Sequence, residues 1–261
     1  MRFLTVVLFA IFSSFASATT FITVCYEDKH APPFFVGSGF DVPEKRPGAT
    51  IEILQSLDRH VSTVRMVFVR KPWQRCLKDI KNNKVDAVVA SYRPERSRFL
   101  QFPKNLDGSI NLSLAISMLG TCLVGKEGLA IDIANRNFPL SLAAPRGYAV
   151  LSTLQQELYR VILTDSQEDA YQLVLKSLVD GSLGLCKIYD EQIAGFPHSD
   201  QLQAVYPPVD ISYGYLALSK EFTEQNPDVA QSLWDQLGSM PLHKYYLDYV
   251  NNPDNYKLPR Y

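Results

Sequence analysis

Histidine is scarce in this chain: there are four in 261 residues (His30, His60, His198 and His243), and no two share the His-Glu-x-x-His spacing of a zinc-binding helix. No two of its four cysteines stand in a Cys-x-x-Cys pair, so the pattern gives a metal site no support. A Gly-x-Ser-x-Gly elbow, a phosphate-binding P-loop and a Gly-x-Gly-x-x-Gly turn are all missing, which removes the commonest nucleophilic, nucleotide and dinucleotide chemistries. Cys25 with His30 is a poor thiol nucleophile pair, because a cysteine at a strand end is more simply core or disulfide. Charge of one sign is also missing. With 26 basic against 27 acidic side chains, no net field draws the chain onto nucleic acid or anionic lipid, and specificity must be local. No low-complexity tract occurs, and after residue 12 no apolar run is long enough to span a bilayer.

The start of the chain is distinctive. Met1-Arg2 precedes an apolar run over residues 3–12 and then Ala16-Ser17-Ala18, the pattern of a cleavable secretory signal over residues 1–18. Cys25 follows β-branched and aromatic residues and does not sit in a lipoprotein cleavage box. The chain left after cleavage exceeds the usual single-core domain and suits two lobes. In an exported protein, Cys25, Cys76, Cys122 and Cys186 permit two disulfides. Pairing within each half, Cys25 with Cys76 and Cys122 with Cys186, is one reading; four buried thiols is the other.

Two matching segments organise the rest. In the first, a strand over 21–25 leads to a loop with Pro32-Pro33-Phe34-Phe35, and then to a helix from Thr50 carrying Ile51, Leu54 and Leu57. A strand over 64–69 follows, then a helix opened by Pro72 with Trp73, Cys76, Leu77 and Ile80 on one face, then an apolar strand over 85–90. The second segment repeats the βαβαβ order: strand 140–144, helix 149–158 and strand 160–163. A helix capped by Ser166 with Asp169 comes next, stopped at Asp180-Gly181, and a strand reaches Ile188. Residues 111–124 and 209–218 are extended and join the two units, so two crossings make a hinge. A helix with Val229, Leu233 and Leu237 returns to the first unit, where the tyrosines of 245–249 read as the packing face of a C-terminal helix. Ligands of open α/β sheets collect at the carboxyl ends of strands. Two such ends facing each other make a cleft that grips a small polar molecule.

These residues resemble the periplasmic, or extracellular, solute-binding proteins of family 3, the polar amino-acid type. The resemblance is carried by Pro32-Pro33-Phe34, by the helix start 48–54, by Lys84-Val85-Asp86-Ala87-Val88-Val89 and by 94–102 with its Glu95-Arg96. The late Ala217-Leu218-Ser219-Lys220 and Asn226-Pro227 complete it, in collinear order over nearly the whole mature chain. Pro72-Trp73-Gln74-Arg75 also resembles a subgroup of small exported proteins from Gram-negative bacteria without an obvious transporter partner. The resemblance implies a two-lobed α/β fold of the type II periplasmic-binding class, with lobe one over 19–107 and 212–261 and lobe two over 108–211. It further implies a periplasmic monomer that closes around an amino acid, small acid or amine, either for an ABC permease or for a membrane sensor, without a cofactor.

On this resemblance Arg96 holds a ligand carboxylate through its planar fork, with Ser91 adding a hydroxyl at the strand end. Trp73 offers a flat floor, Phe34 the facing wall, and Glu27 and Asp28 leave the end of the first strand toward the cleft. From lobe two, Gly147 and Tyr148 present backbone N–H groups. The family's ammonium-binding Asp falls at Tyr189 when counted from Gly181, with Asp190 one residue late. The amino-acid clamp is therefore half preserved. An enzymatic rival exists on the same fold, in which an acidic residue such as Glu27 or Asp190 assists elimination from a bound acid. A sensor that docks on a membrane receptor requires the same closure as a transport protein.

Overall fold

In the computed structural model, the described residues are 19–135, 139–152, 154–155, 157–193, 198 and 200–252, without the side chain of residue 149. The signal sequence expected over 1–18 and the chain end 253–261 lie outside them. The first segment folds as β1 (Thr20–Glu27), α1 (Ala49–His60), β2 (Val64–Lys71), α2 (Trp73–Lys81) and β3 (Ala87–Ser91), then a short β4 (Leu100–Gln101). The long strand β5 (Ser117–Gly125) leads to α3 (Leu129–Ala134), β6 (Leu140–Pro145), β7 (Tyr159–Thr164), α4 (Gln167–Leu175), β8 (Gly181–Ile188) and β9 (Glu191–Gln192). A strand of 17 residues, β10 (Gln203–Ser219), returns, followed by α5 (Lys220–Gln225), α6 (Pro227–Ser239) and α7 (Leu242–Asn251).

The repeat seen in the sequence is a repeat of topology. One mixed sheet runs in the order β2-β1-β3-β10-β5-β8-β6-β7. At either end stands a parallel trio with its strands in the order second, first, third: β2-β1-β3 and β7-β6-β8. Between them, β10 and β5 pair antiparallel from Gln203–Gly125 to Gly214–Ser117, with a register shift between Val205 and Asp210. These two strands are the crossings expected over 111–124 and 209–218.

The central strand of each trio, β1 and β6, is buried on both faces over its second half, as side chains alternating between two packed layers require, whereas β7 at the sheet edge leaves Val161, Ile162 and Leu163 exposed. Val24 and Cys25 are both fully buried but enter different clusters. Val24 joins Leu54, Leu57, Leu216 and Tyr246, whereas Cys25 joins Cys76, Ile80, Val88 and Tyr215. In the back half Leu142 packs with Leu123 and Leu183, and its neighbour Ala143 with Tyr171 and Val174. The structure joins Cys25 to Cys76 and Cys122 to Cys186, one bond inside each half. Ser166 caps α4, its hydroxyl accepting from the Asp169 N–H at 3.1 Å and donating to the Asp169 carboxylate at 2.7 Å. The tyrosines of α7 pack inward on α1: Tyr246 and Tyr249 are fully buried, and the Tyr249 hydroxyl donates to Glu52 at 2.6 Å and accepts from the Gly48 N–H at 2.9 Å.

One expectation fails. The helix expected over 149–158 is a single 3-10 turn, Ala149–Ser152; residues 153 and 156 of that span lie outside the described residues. Val150 both borders the inter-half cavity and enters the local core, with Leu151 and Leu154 packed against the same cluster.

Candidate functional site

A cavity of about 820 Å³ lies between the two halves. The carboxyl ends of β1, β3 and β6 converge on it, placing Glu27, Ser91 and Pro145 at its edge. The loop after β3 folds back in a 3-10 turn over Arg96–Arg98, and this return brings the Arg96 guanidinium to the cavity. There Nη1 donates to the Ser91 carbonyl at 2.9 Å and Nη2 approaches the Gly147 carbonyl of the other half at 3.5 Å. The guanidinium also lies over the Trp73 ring, 5.7 Å from its centroid. Burial, and then the neighbouring Arg93 charge, lower the Arg96 pKa from its ordinary value. A carboxylate arriving here would offset both effects.

Glu27 stands at the end of β1, 8% exposed. Tyr148 from the back half donates its hydroxyl to Glu27 Oε2 at 3.2 Å. Loss of water raises the Glu27 pKa to about 7, with the Tyr148 hydrogen bond acting against the rise. The Tyr148 hydroxyl is pushed well above its ordinary pKa, mainly by burial. It remains a donor.

Phe34 and Phe35 form the facing wall, with rings edge to face at 6.5 Å. Gly48 fixes that wall: its φ is +112°, and a Cβ there would fall 2.1 Å from the Phe34 carbonyl oxygen, so only glycine lets α1 start this close to the loop. Gly147 does the same between the halves. With φ at +76°, it would place a Cβ 1.9 Å from Gln74 Nε2 and 3.7 Å from the Trp73 ring, so the two halves touch here through bare backbone.

Of the residues singled out in the sequence, Arg96, Ser91, Trp73, Phe34, Glu27, Gly147 and Tyr148 border one cavity. Asp28, Tyr189 and Asp190 do not. Asp28 is 8% exposed and its main chain is held by Lys71 and Gly39, because alternation along the strand end turns it from the cavity that Glu27 faces. Tyr189, in a left-handed turn with φ at +51°, packs against His243 and reaches the Ile116 carbonyl at 3.4 Å. This follows from β8 running on until Ile188 joins the core of the front half. Asp190 lies beyond that turn with its side chain 96% exposed, facing Lys187 at 3.7 Å.

The structure adds residues that the sequence reading passed over. Ser117, Leu119 and Thr121 of β5 and Asp210, Ser212 and Gly214 of β10 all border the cavity. They alternate in sequence and pair across the two strands, so one face of the crossing pair forms the floor. From the back half come Gln167, Glu168, Tyr171 and Gly184. The alternation Ser-x-Leu-x-Thr and Asp-x-Ser-x-Gly was the available signal.

No protein-family model matches the chain, and no curated protein sequence matches it. Solved structures do. A substrate-binding protein of an amino acid ABC transporter superposes with a TM-score of 0.65 at 12% identity, covering 89% of this chain and 100% of that one. An arginine transport-system periplasmic binding protein from Legionella pneumophila gives 0.64 at 17%, covering 87% and 98%. A histidine-kinase sensor domain with similarity to periplasmic binding proteins gives 0.63 at 12%, covering 90% and 97%. The likeness defines the class: a mixed α/β, two-lobed, periplasmic-binding-protein-like domain. Among the described residues, no helix is long and apolar enough to cross a membrane.

Proposed function

We propose that this chain is a periplasmic solute-binding protein of family 3, related to the Pro-Trp-x-Arg subgroup, that closes around a small carboxylate-bearing, amino-acid-like solute for transport or sensing. In this reading residues 1–18 direct export, 19–107 with 212–261 form one lobe, 108–211 form the other, and β5 and β10 are the hinge. The observation that carries it is the pair of contacts across the cavity, Arg96 with Gly147 and Glu27 with Tyr148. Each joins a side chain of one half to the loop after β6 in the other. Closure takes water from around Arg96, strengthening its hold on an anion, so ligand favours the closed state and shifts its population. The proteins it resembles in structure serve both transport and sensing, and both uses need the same closure.

A thermal-shift screen tests the reading. Amino acids, small acids and amines are added to unfolded, dialysed and refolded mature protein, because a ligand of the native state raises the unfolding midpoint by mass action. At least one carboxylate is expected to raise it with dose. A flat response across the whole set refutes the proposal.

One observation favours a second reading. Glu27, inside the cavity and with a pKa of about 7, is placed as a proton donor for acid-assisted elimination from a bound acid. Release of a converted product supports that reading; recovery of the unchanged ligand in stoichiometric amount supports the binder.

A further inference from the structure

The two halves already touch across the cavity, and it is still large. Arg96 reaches the Gly147 carbonyl and Tyr148 the Glu27 carboxylate, yet about 820 Å³ lies between the halves. Cavities of about 300–1,000 Å³ bury whole drug-sized ligands, so this one exceeds what a single polar amino acid fills. Its surface is apolar to match. Phe34, Phe35 and Trp73 on the walls and Val89, Leu119 and Leu185 on the strands border it, each only partly buried. Large apolar side chains that share one enclosed space gain when an apolar body displaces water from them.

Among the described residues, each acidic side chain on this cavity already has a partner in the chain. Glu27 accepts from Tyr148, Glu168 accepts from Gln172 and pairs with His198 at 2.9 Å, and Asp210 is ion-paired with Arg93 at 3.8 Å. The exposed Asp200 accepts from Gln201 at 3.3 Å. Tyr189 and Asp190, the positions where an ammonium-binding acid was expected, stand off the cavity. Arg96 differs. Its guanidinium meets two backbone carbonyls and an indole face, and among the described residues no carboxylate forms a salt bridge with it. The cavity therefore offers a ligand one guanidinium and a broad apolar surface.

We propose that the ligand is a carboxylate on a bulky, largely aromatic body with no required amine, so that the cavity ranks acids by apolar bulk. This rests on the carboxylate-binding reading above and specifies the body that the carboxylate carries. The carboxylate sits on Arg96 beside Trp73, and the rings rest on the Phe34 and Phe35 wall and the Leu119 floor, where each added ring covers apolar surface.

The test is calorimetric titration of refolded mature protein with propionate, phenylpropionate, naphthylpropionate, L-phenylalanine, L-glutamate and L-arginine, and with the primary amide of naphthylpropionate. Affinity is expected to rise at least about 10-fold from propionate to phenylpropionate and again to naphthylpropionate, with L-phenylalanine no tighter than phenylpropionate. The amide lacks the charge for Arg96 and is expected to bind at least about 30-fold more weakly than its acid. Leu119→Trp fills the floor and is expected to reverse the order of the two aryl acids. Equal binding of acid and amide, an unchanged order in folded Leu119→Trp, or tightest binding to L-glutamate or L-arginine overturns this proposal alone, as does L-phenylalanine bound more tightly than phenylpropionate. Absence of binding throughout, in this series and in the thermal-shift screen, overturns the binding-protein reading and this proposal with it. The wild-type series needs no variant, so a failure of Leu119→Trp to fold leaves it decisive.

Discussion

A half-buried guanidinium lying over an indole makes the indole a reporter. Trp73 lies against Arg96 in the cavity, whereas Trp234 is buried in the front core and donates to the Leu216 carbonyl at 2.9 Å. Ligand binding is expected to change intrinsic tryptophan emission. Trp73→Phe should abolish that change and Trp234→Phe should preserve it, which a fluorescence titration reads directly. Glu27 makes a prediction of opposite character. Its folded pKa of about 7 lies above the ordinary 4.5, so the folded chain holds a proton that the unfolded chain releases between those values. Stability of the ligand-free protein therefore falls as pH rises through that window and levels off above it. Glu27→Gln should flatten the dependence of the unfolding midpoint on pH from 4.5 to 7; an unchanged slope would remove Glu27 as its source. Arg96 was legible at this scale because a short motif fixes its place after a strand. The place of Asp210 beside the cavity was not, since alternation tells which residues share a face but not which face borders a cavity.

Elements carry the contact between the halves. Gly147 lets the loop after β6 rest on α2, and a side chain there meets Gln74 at 1.9 Å from a backbone already at positive φ. Gly147→Val, at a φ of +76° that a side-chain-bearing residue rarely adopts, is expected to cost about 1–3 kcal/mol of stability in the ligand-free protein, read by denaturant unfolding, and to weaken ligand binding. Gln74→Ala in the same chain should recover part of the loss. The bond between Cys122 and Cys186 closes 64 residues and ties β5 to β8. Replacing both cysteines by serine should cost about 2–5 kcal/mol of stability, read by denaturant unfolding. Strands were legible because apolar runs bounded by turns leave few alternatives. The helix expected over 149–158 was misread because its apolar residues serve a cavity and a core at once. The place of Tyr189 was misjudged because counting along β8 cannot see that its end packs on the opposite half, nor the register shift between Gly120 and Thr121 in the partner strand.

At the scale of the whole molecule, the repeated βαβαβ order was enough to read two halves, and the two extended segments were enough to place β5 and β10 between them. The cavity floor was not legible, because it belongs to neither half. It is made by one face of the crossing strands, so Thr121 and Ser212 join the two halves and border the cavity at once. The most direct test is calorimetric titration of wild type and Arg96→Ala with the carboxylate that raises the wild-type unfolding midpoint furthest. The account predicts a loss of about 2–5 kcal/mol of binding free energy in the variant, with the ligand-free variant folded. Equal affinity in the two proteins would contradict it.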